Sequence, residues 1–218
     1  MIRALKKTVS LDRRNELKHN GMKKIILLLF LALSSCTKDS AKQDPIFQLP
    51  PETQTGANTF GVTINGKVYI PRTPIGVNYG GSNAKAMKWI SGGITPHEYL
   101  ELVVVDGASS VGFKITIHIQ NLVSIGAYPL KQSNFQEQAD STLFNHIFFK
   151  IWDNTIKNYA YYGSIEDLGT INIIKNNNGI ISGNFTGKFV RYDNPNEFIQ
   201  ITDGRFDTGP GMYDKIFP

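Results

Sequence analysis

From Thr59 onward, apolar and polar positions alternate in short runs instead of recurring every three or four residues, a pattern that predicts strands. Val62 to Ile70 divides at Asn65-Gly66, a pair suited to a two-residue turn, with β-branched residues on both arms of the predicted hairpin. Phe113 to Gln120 alternates throughout. Phe113, Ile115, Ile117 and Ile119 are predicted to face the core, and Lys114, Thr116, His118 and Gln120 to face water. Leu100 to Val105 is apolar on both faces and predicts a central strand. Ile171 to Ile174 and Ile180 to Val190 flank a turn at Asn176 to Gly179. In the second arm Gly183 and Gly187 share a face with Ile181, Phe185 and Phe189, which predicts bulges or close packing in a bent strand. Phe198 to Thr202 is a further strand, closed by Asp203-Gly204. Asn83 to Trp89 and Phe135 to Leu143 are expected to be short helices. Short strands joined by brief turns make the expected fold all-β, an antiparallel β-sandwich, with a small calycin-like β-barrel as the alternative.

The start of the chain has a different pattern. Lys23-Lys24 precedes the apolar run Ile25 to Leu33, which is too short to span a bilayer and reads as a secretory signal. The run ends in Leu33-Ser34-Ser35-Cys36, which resembles a bacterial lipobox. That resemblance implies cleavage before Cys36 and its fatty acylation; a lipobox cysteine carries several chains, making a permanent membrane anchor. Met22 is the expected initiator, residues 22–35 the signal peptide, and residues 1–21 are set aside from the fold. Residues 36–58 are polar, carry Pro45, Pro50 and Pro51, and are expected to form a flexible tether. Residues 59–218 form one β-rich domain. Thr37-Lys38-Asp39 is partly similar to the surface-export signal of Bacteroidota lipoproteins, so the expected location is the outer membrane, at its periplasmic face or the cell surface.

The leader changes the charge balance. Residues 1–35 carry eight of the 23 Lys and Arg and two of the 18 Asp and Glu, leaving 15 cations against 16 anions downstream. No positive excess remains to draw nucleic acid. The single cysteine, Cys36, rules out an internal disulfide and a Cys-based zinc site.

Little downstream suggests chemistry. His97, His118 and His146 lack the local spacing of metal ligands, and no nucleophile elbow, phosphate loop or dinucleotide fingerprint occurs. No catalytic residue, metal or cofactor is expected. His118 reads as a solvated strand residue and His146 as part of an aromatic wall. Asp193 to Glu197 is oxygen-rich enough for calcium but reads better as a turn. Asp203 to Asp207 offers two carboxylates and Arg205, best read as a tight turn with an internal ion pair. Tyr159, Tyr161 and Tyr162, with Trp152 and Trp89, could stack on sugar rings if they face outward; period 2 puts Tyr159 and Tyr161 on one face and Tyr162 on the other, so Trp152, Tyr159 and Tyr161 are the candidate ligand-binding residues, with sheet packing the competing reading.

The stretch Leu49-Pro50-Pro51-Glu52-Thr53-Gln54-Thr55-Gly56-Ala57-Asn58-Thr59-Phe60-Gly61, followed by Asn65-Gly66-Lys67, resembles the opening of a family of Bacteroidota lipoproteins of unknown function. Ile201-Thr202-Asp203-Gly204-Arg205-Phe206-Asp207 is similar to that family's carboxy-terminal part. The resemblance implies an envelope location and β architecture, and transfers no catalytic residue. The expected function is a lipid-anchored, non-enzymatic binding or interaction module. Its expected partners are the membrane, through Cys36, and a glycan or protein. The alternatives are a small-ligand-binding barrel and a glycan or envelope hydrolase.

Overall fold

The computed structural model describes residues 48–74, 85–108 and 112–218. The predicted start, signal peptide, lipidation site Cys36 and first part of the tether lie outside these residues, as do positions 83 and 84 of the first predicted helix. Among the described residues, ten strands form one antiparallel sheet: β1 (Thr59–Ile64), β2 (Lys67–Tyr69), β3 (Met87–Gly92), β4 (Tyr99–Val105), β5 (Phe113–Gln120), β6 (Gly126–Pro129), β7 (His146–Asp153), β8 (Asn158–Asn177), β9 (Ile180–Arg191) and β10 (Phe198–Thr208). Their order is β2-β1-β10-β9-β8-β7-β5-β4-β3, with β6 paired to the far half of β8. No described helix is long and apolar enough to cross a membrane.

The sheet curls into a half-barrel, and contacts across the gap hold the curl. Arg72, just after β2, forms a parallel bridge with Asp106, just after β4, and its guanidinium meets that carboxylate at 2.8 and 2.6 Å. Trp89 on β3 donates from Nε1 to Thr208 Oγ1 on β10 at 3.0 Å and packs edge-on to Phe206. The interior is filled by side chains: Phe60, Phe149, Phe185, Phe189, Leu102, Ile117 and Ile171 are among those wholly buried. The curled antiparallel sheet around this packed core agrees with the expected all-β class, in its sandwich or its barrel form.

The alternation rule predicts the inner face of β5 to the residue. Ile115, Ile117 and Ile119 are inside as expected. The opposite face departs from expectation, because Thr116 and His118 are completely buried. The connection between β6 and β7 lies over that face, so the half-barrel has a second layer there, anchored by Gln138, Thr142 and Ser133. The Asn65-Gly66 turn is present, with φ of 47° and 80°. The irregularities expected near Gly183 and Gly187 occur as register shifts in β8, between Ser164 and Gly169 and between Ile173 and Lys175.

Four further expectations need correction. Met87–Gly92 is strand β3, not the end of a helix, because its residues pair along β4. The stretch Phe135 to Leu143 is a loop; Ser133 Oγ and Asn134 Oδ1 accept from the backbone N–H groups of Phe135 and Gln136, local bonds that compete with a helix. Asp203-Gly204 does not close a strand, since β10 continues to Thr208 past a bulge between Ile201 and Gly204. The tether also ends earlier than Asn58: Thr53, Thr55, Gly56 and Ala57 are bonded to Asp207.

Candidate functional site

The outer face of β5, β7 and β8 carries three successive rows of side chains set by strand register. Trp152 and Tyr159 are cross-strand partners at the open end. Lys114, Lys150 and Tyr161 form the next row. Thr116, Phe148 and Gly163 follow. Period-2 geometry places all of these outward, while Phe149 and Tyr162 point inward and stack at 5.6 Å. The sheet therefore brings together the three predicted aromatics, Trp152, Tyr159 and Tyr161. Trp89 is elsewhere, acting as the staple between β3 and β10.

The middle rows bound a cleft of about 260 Å³, lined by Lys114, Thr116, Phe135, Glu137, Phe148, Lys150 and Tyr161. Phe135 and Glu137 come from the covering loop. Thr116 Oγ1 donates to Glu137 Oε1 at 3.2 Å, and Lys114 Nζ forms an ion pair with the same carboxylate. Lys150 Nζ sits 4.6 Å from the Tyr159 ring centroid and has no carboxylate partner among the described residues. Tyr161 is 46% exposed, so its ring is open to a ligand. Trp152 meets Tyr159 edge to face at 5.5 Å. Gly163 allows this construction, because a Cβ there would lie 2.5 Å from Phe135 Cζ and 2.7 Å from Ser133 Cβ.

One row deeper, under the loop, lies a buried ladder that sequence reasoning missed. Glu101, His118 and His146 are register partners on β4, β5 and β7, each with no exposed surface. His118 Nδ1 meets Glu101 Oε1 at 2.9 Å, and its Nε2 donates to the Thr142 carbonyl oxygen at 3.2 Å. The Gln138 N–H also donates to Glu101 Oε1, at 2.9 Å. His118 is therefore neither solvated nor idle: it and Glu101 pin the covering loop. The available clue was Glu101, the one acid in an apolar strand opposite a histidine.

His146 is a wall residue, as expected. It stacks on Phe148 at 5.4 Å and packs edge-on against Phe144. Its Nδ1 meets Ser133 Oγ at 3.0 Å. Burial, and secondarily the charge of neighbouring His118, push its pKa down to about 3. An imidazole so depressed is a feeble base at neutral pH, and Ser133 Oγ already accepts the Phe135 N–H.

Both acidic clusters pair their carboxylates with the protein's own arginines. The Asp193 and Glu197 carboxylates surround the Arg191 guanidinium, together with Asp153, at 2.6 to 3.2 Å. The hydrogen bond from Arg191, chiefly, holds Asp193 below the usual carboxylate range despite some desolvation. Asp203 pairs loosely with Arg205 at 3.6 Å, whereas Asp207 is buried against the segment before β1. No family model, curated protein or solved structure matches the chain.

Proposed function

We propose that this chain is a lipid-anchored cell-envelope protein whose β-domain is a non-enzymatic binding module for carbohydrate. Cys36 supplies the anchor, in the outer membrane, and the residues after it separate the domain from the lipid surface. The observation that carries the binding role is the gathering of Tyr161, Tyr159 and Trp152 on one outward shelf beside a cleft. A pyranose ring offers an apolar C–H face to an aromatic ring and hydroxyls to polar groups at its edge. Tyr161, Phe135 and Phe148 provide the apolar walls, and Thr116, Glu137 and Lys150 the polar rim. The cleft volume suits one or two sugar units rather than a larger organic ligand.

A hydrolytic role is less well supported. Acid-base cleavage of a glycosidic bond needs two carboxyl groups facing the scissile bond, and Glu137 is the one carboxylate among the described residues that line the cleft. Binding is tested by titrating the mature protein with soluble glycans and following intrinsic fluorescence. Quenching that disappears in Tyr161→Ala is expected; unchanged binding in that variant would remove the shelf from the proposal. The anchor is tested separately by detergent phase partitioning. Wild type should enter the detergent phase, and Cys36→Ser should remain uncleaved, without the lipid.

A further inference from the structure

The cleft's charge distribution narrows the class of sugar, an inference that rests on the carbohydrate reading above. We infer that the shelf selects a carboxylated sugar, with Lys150 as the group that receives the carboxylate. The two cleft lysines are not equivalent. Lys114 is already neutralised by Glu137, whose position is further held by the Thr116 hydroxyl. Lys150 has the Tyr159 ring face against it, at 4.6 Å, and meets no carboxylate among the described residues. With Glu137 counted, the cleft keeps one positive charge.

Geometry places that charge next to the stacking surface. Lys150 and Tyr161 are directly opposed residues of β7 and β8, so a sugar lying on Tyr161 presents its ring substituents to Lys150. A carboxylate on that ring gains a charge-assisted hydrogen bond in a site partly shielded from water, where such bonds are about twice as strong as neutral ones. Glu137 then has a complementary task. Paired with Lys114, it still accepts hydroxyl hydrogens at the loop side, while the uncompensated charge of Lys150 draws the acid of a carboxylated sugar toward β7. The aromatic rings supply affinity for any pyranose; Lys150 supplies the preference for an acidic one.

The test uses the detergent-solubilised mature protein on an array of paired glycans that differ only in a hexose versus its uronic acid. Carboxylated members are expected to bind about tenfold or more tightly, and raising salt should erode the preference. Lys150→Met should bind both members of each pair alike, and Lys150→Arg should retain the preference. Equal binding of neutral and acidic members by wild type, or a preference that survives Lys150→Met, overturns the acidic-sugar inference while leaving the carbohydrate reading intact. Failure to bind any glycan overturns both. The wild-type pair comparison and its salt dependence stand even if a variant folds poorly.

Discussion

The Thr53 hydroxyl donates to Asp207 Oδ2 at 2.6 Å, tying the segment before β1 to the end of β10 across 154 residues of chain. The backbone N–H groups of Thr55, Gly56 and Ala57 donate to the same carboxylate, at 2.9 to 3.1 Å. Residues 53–57 and the end of β10 are thus one structural unit: the first stretch forms the cradle and the second supplies the acid. Burial by itself would raise the Asp207 pKa, but the bonds from Thr53, Ala57, Gly56 and Thr55 outweigh it and hold the carboxyl below its usual range.

Asp207→Ala should therefore destabilise the domain by about 3 kcal/mol, because several donors lose a charged acceptor at once. Urea denaturation measures the loss, and limited proteolysis should show new cleavage within residues 48–58. The folded-state carboxyl binds its proton more weakly than the unfolded one. Its contribution is thus complete above pH ~4 and lost as pH falls through the depressed folded value. The stability gap between wild type and Asp207→Asn should narrow below pH ~4, and a gap that stays constant would show that the cradle does not act through charge.

His118→Ala leaves the Glu101 carboxylate buried without its partner, which costs about 3 to 5 kcal/mol. Replacing both residues, as in Glu101→Leu with His118→Leu, should be markedly less costly than His118→Ala, because no orphaned charge remains. A double-mutant cycle by chemical denaturation measures the coupling. Strictly additive losses would contradict the assignment of the pair as a unit.

His146 makes stability fall in mild acid. Its folded pKa of about 3 lies below the unfolded value of about 6.5, so the unfolded chain takes up this proton first as pH drops. Stability is unaffected above pH ~6.5 and declines by about 1.4 kcal/mol per pH unit between there and the folded value. His146→Phe, which suits the Phe144 and Phe148 surroundings, should reduce the pH 7 to pH 5 stability loss by about 2 kcal/mol. Identical pH slopes in the two proteins would refute this.

Gly163→Ala should cost about 1 to 3 kcal/mol by overpacking, and should also weaken ligand binding, because the new methyl displaces Phe135 from the cleft wall. Thermal melting and the fluorescence titration, run on the same preparation, check the two effects. Wild-type stability with intact binding would mean that the loop accommodates the methyl without moving.

Strand existence and direction of facing were legible where the inner face alone set the pattern. Phe113, Ile115, Ile117 and Ile119 point to a core because their period matches the pleat, and Asn65-Gly66 marks a hairpin because both residues tolerate positive φ. The failures share a cause. Met87 to Gly92 has no strong local preference and becomes a strand because β4 offers it partners. His118 occupies a polar position in the alternation, yet a loop from elsewhere in the chain covers it.

The candidate site divides in the same way. Trp152, Tyr159 and Tyr161 could be named as candidate aromatics from composition and period alone, and the lipobox resemblance around Cys36 needs no fold at all. That Lys150 stands opposite Tyr161, that Glu137 neutralises Lys114, and that Glu101, His118 and His146 line up beneath the loop are matters of register and cover. By itself the sequence determined an antiparallel β-domain and its inward face, because those follow from neighbours one and two residues apart. Only the tertiary structure decided which polar residues meet, because register and loop packing join positions tens of residues apart that no local period relates.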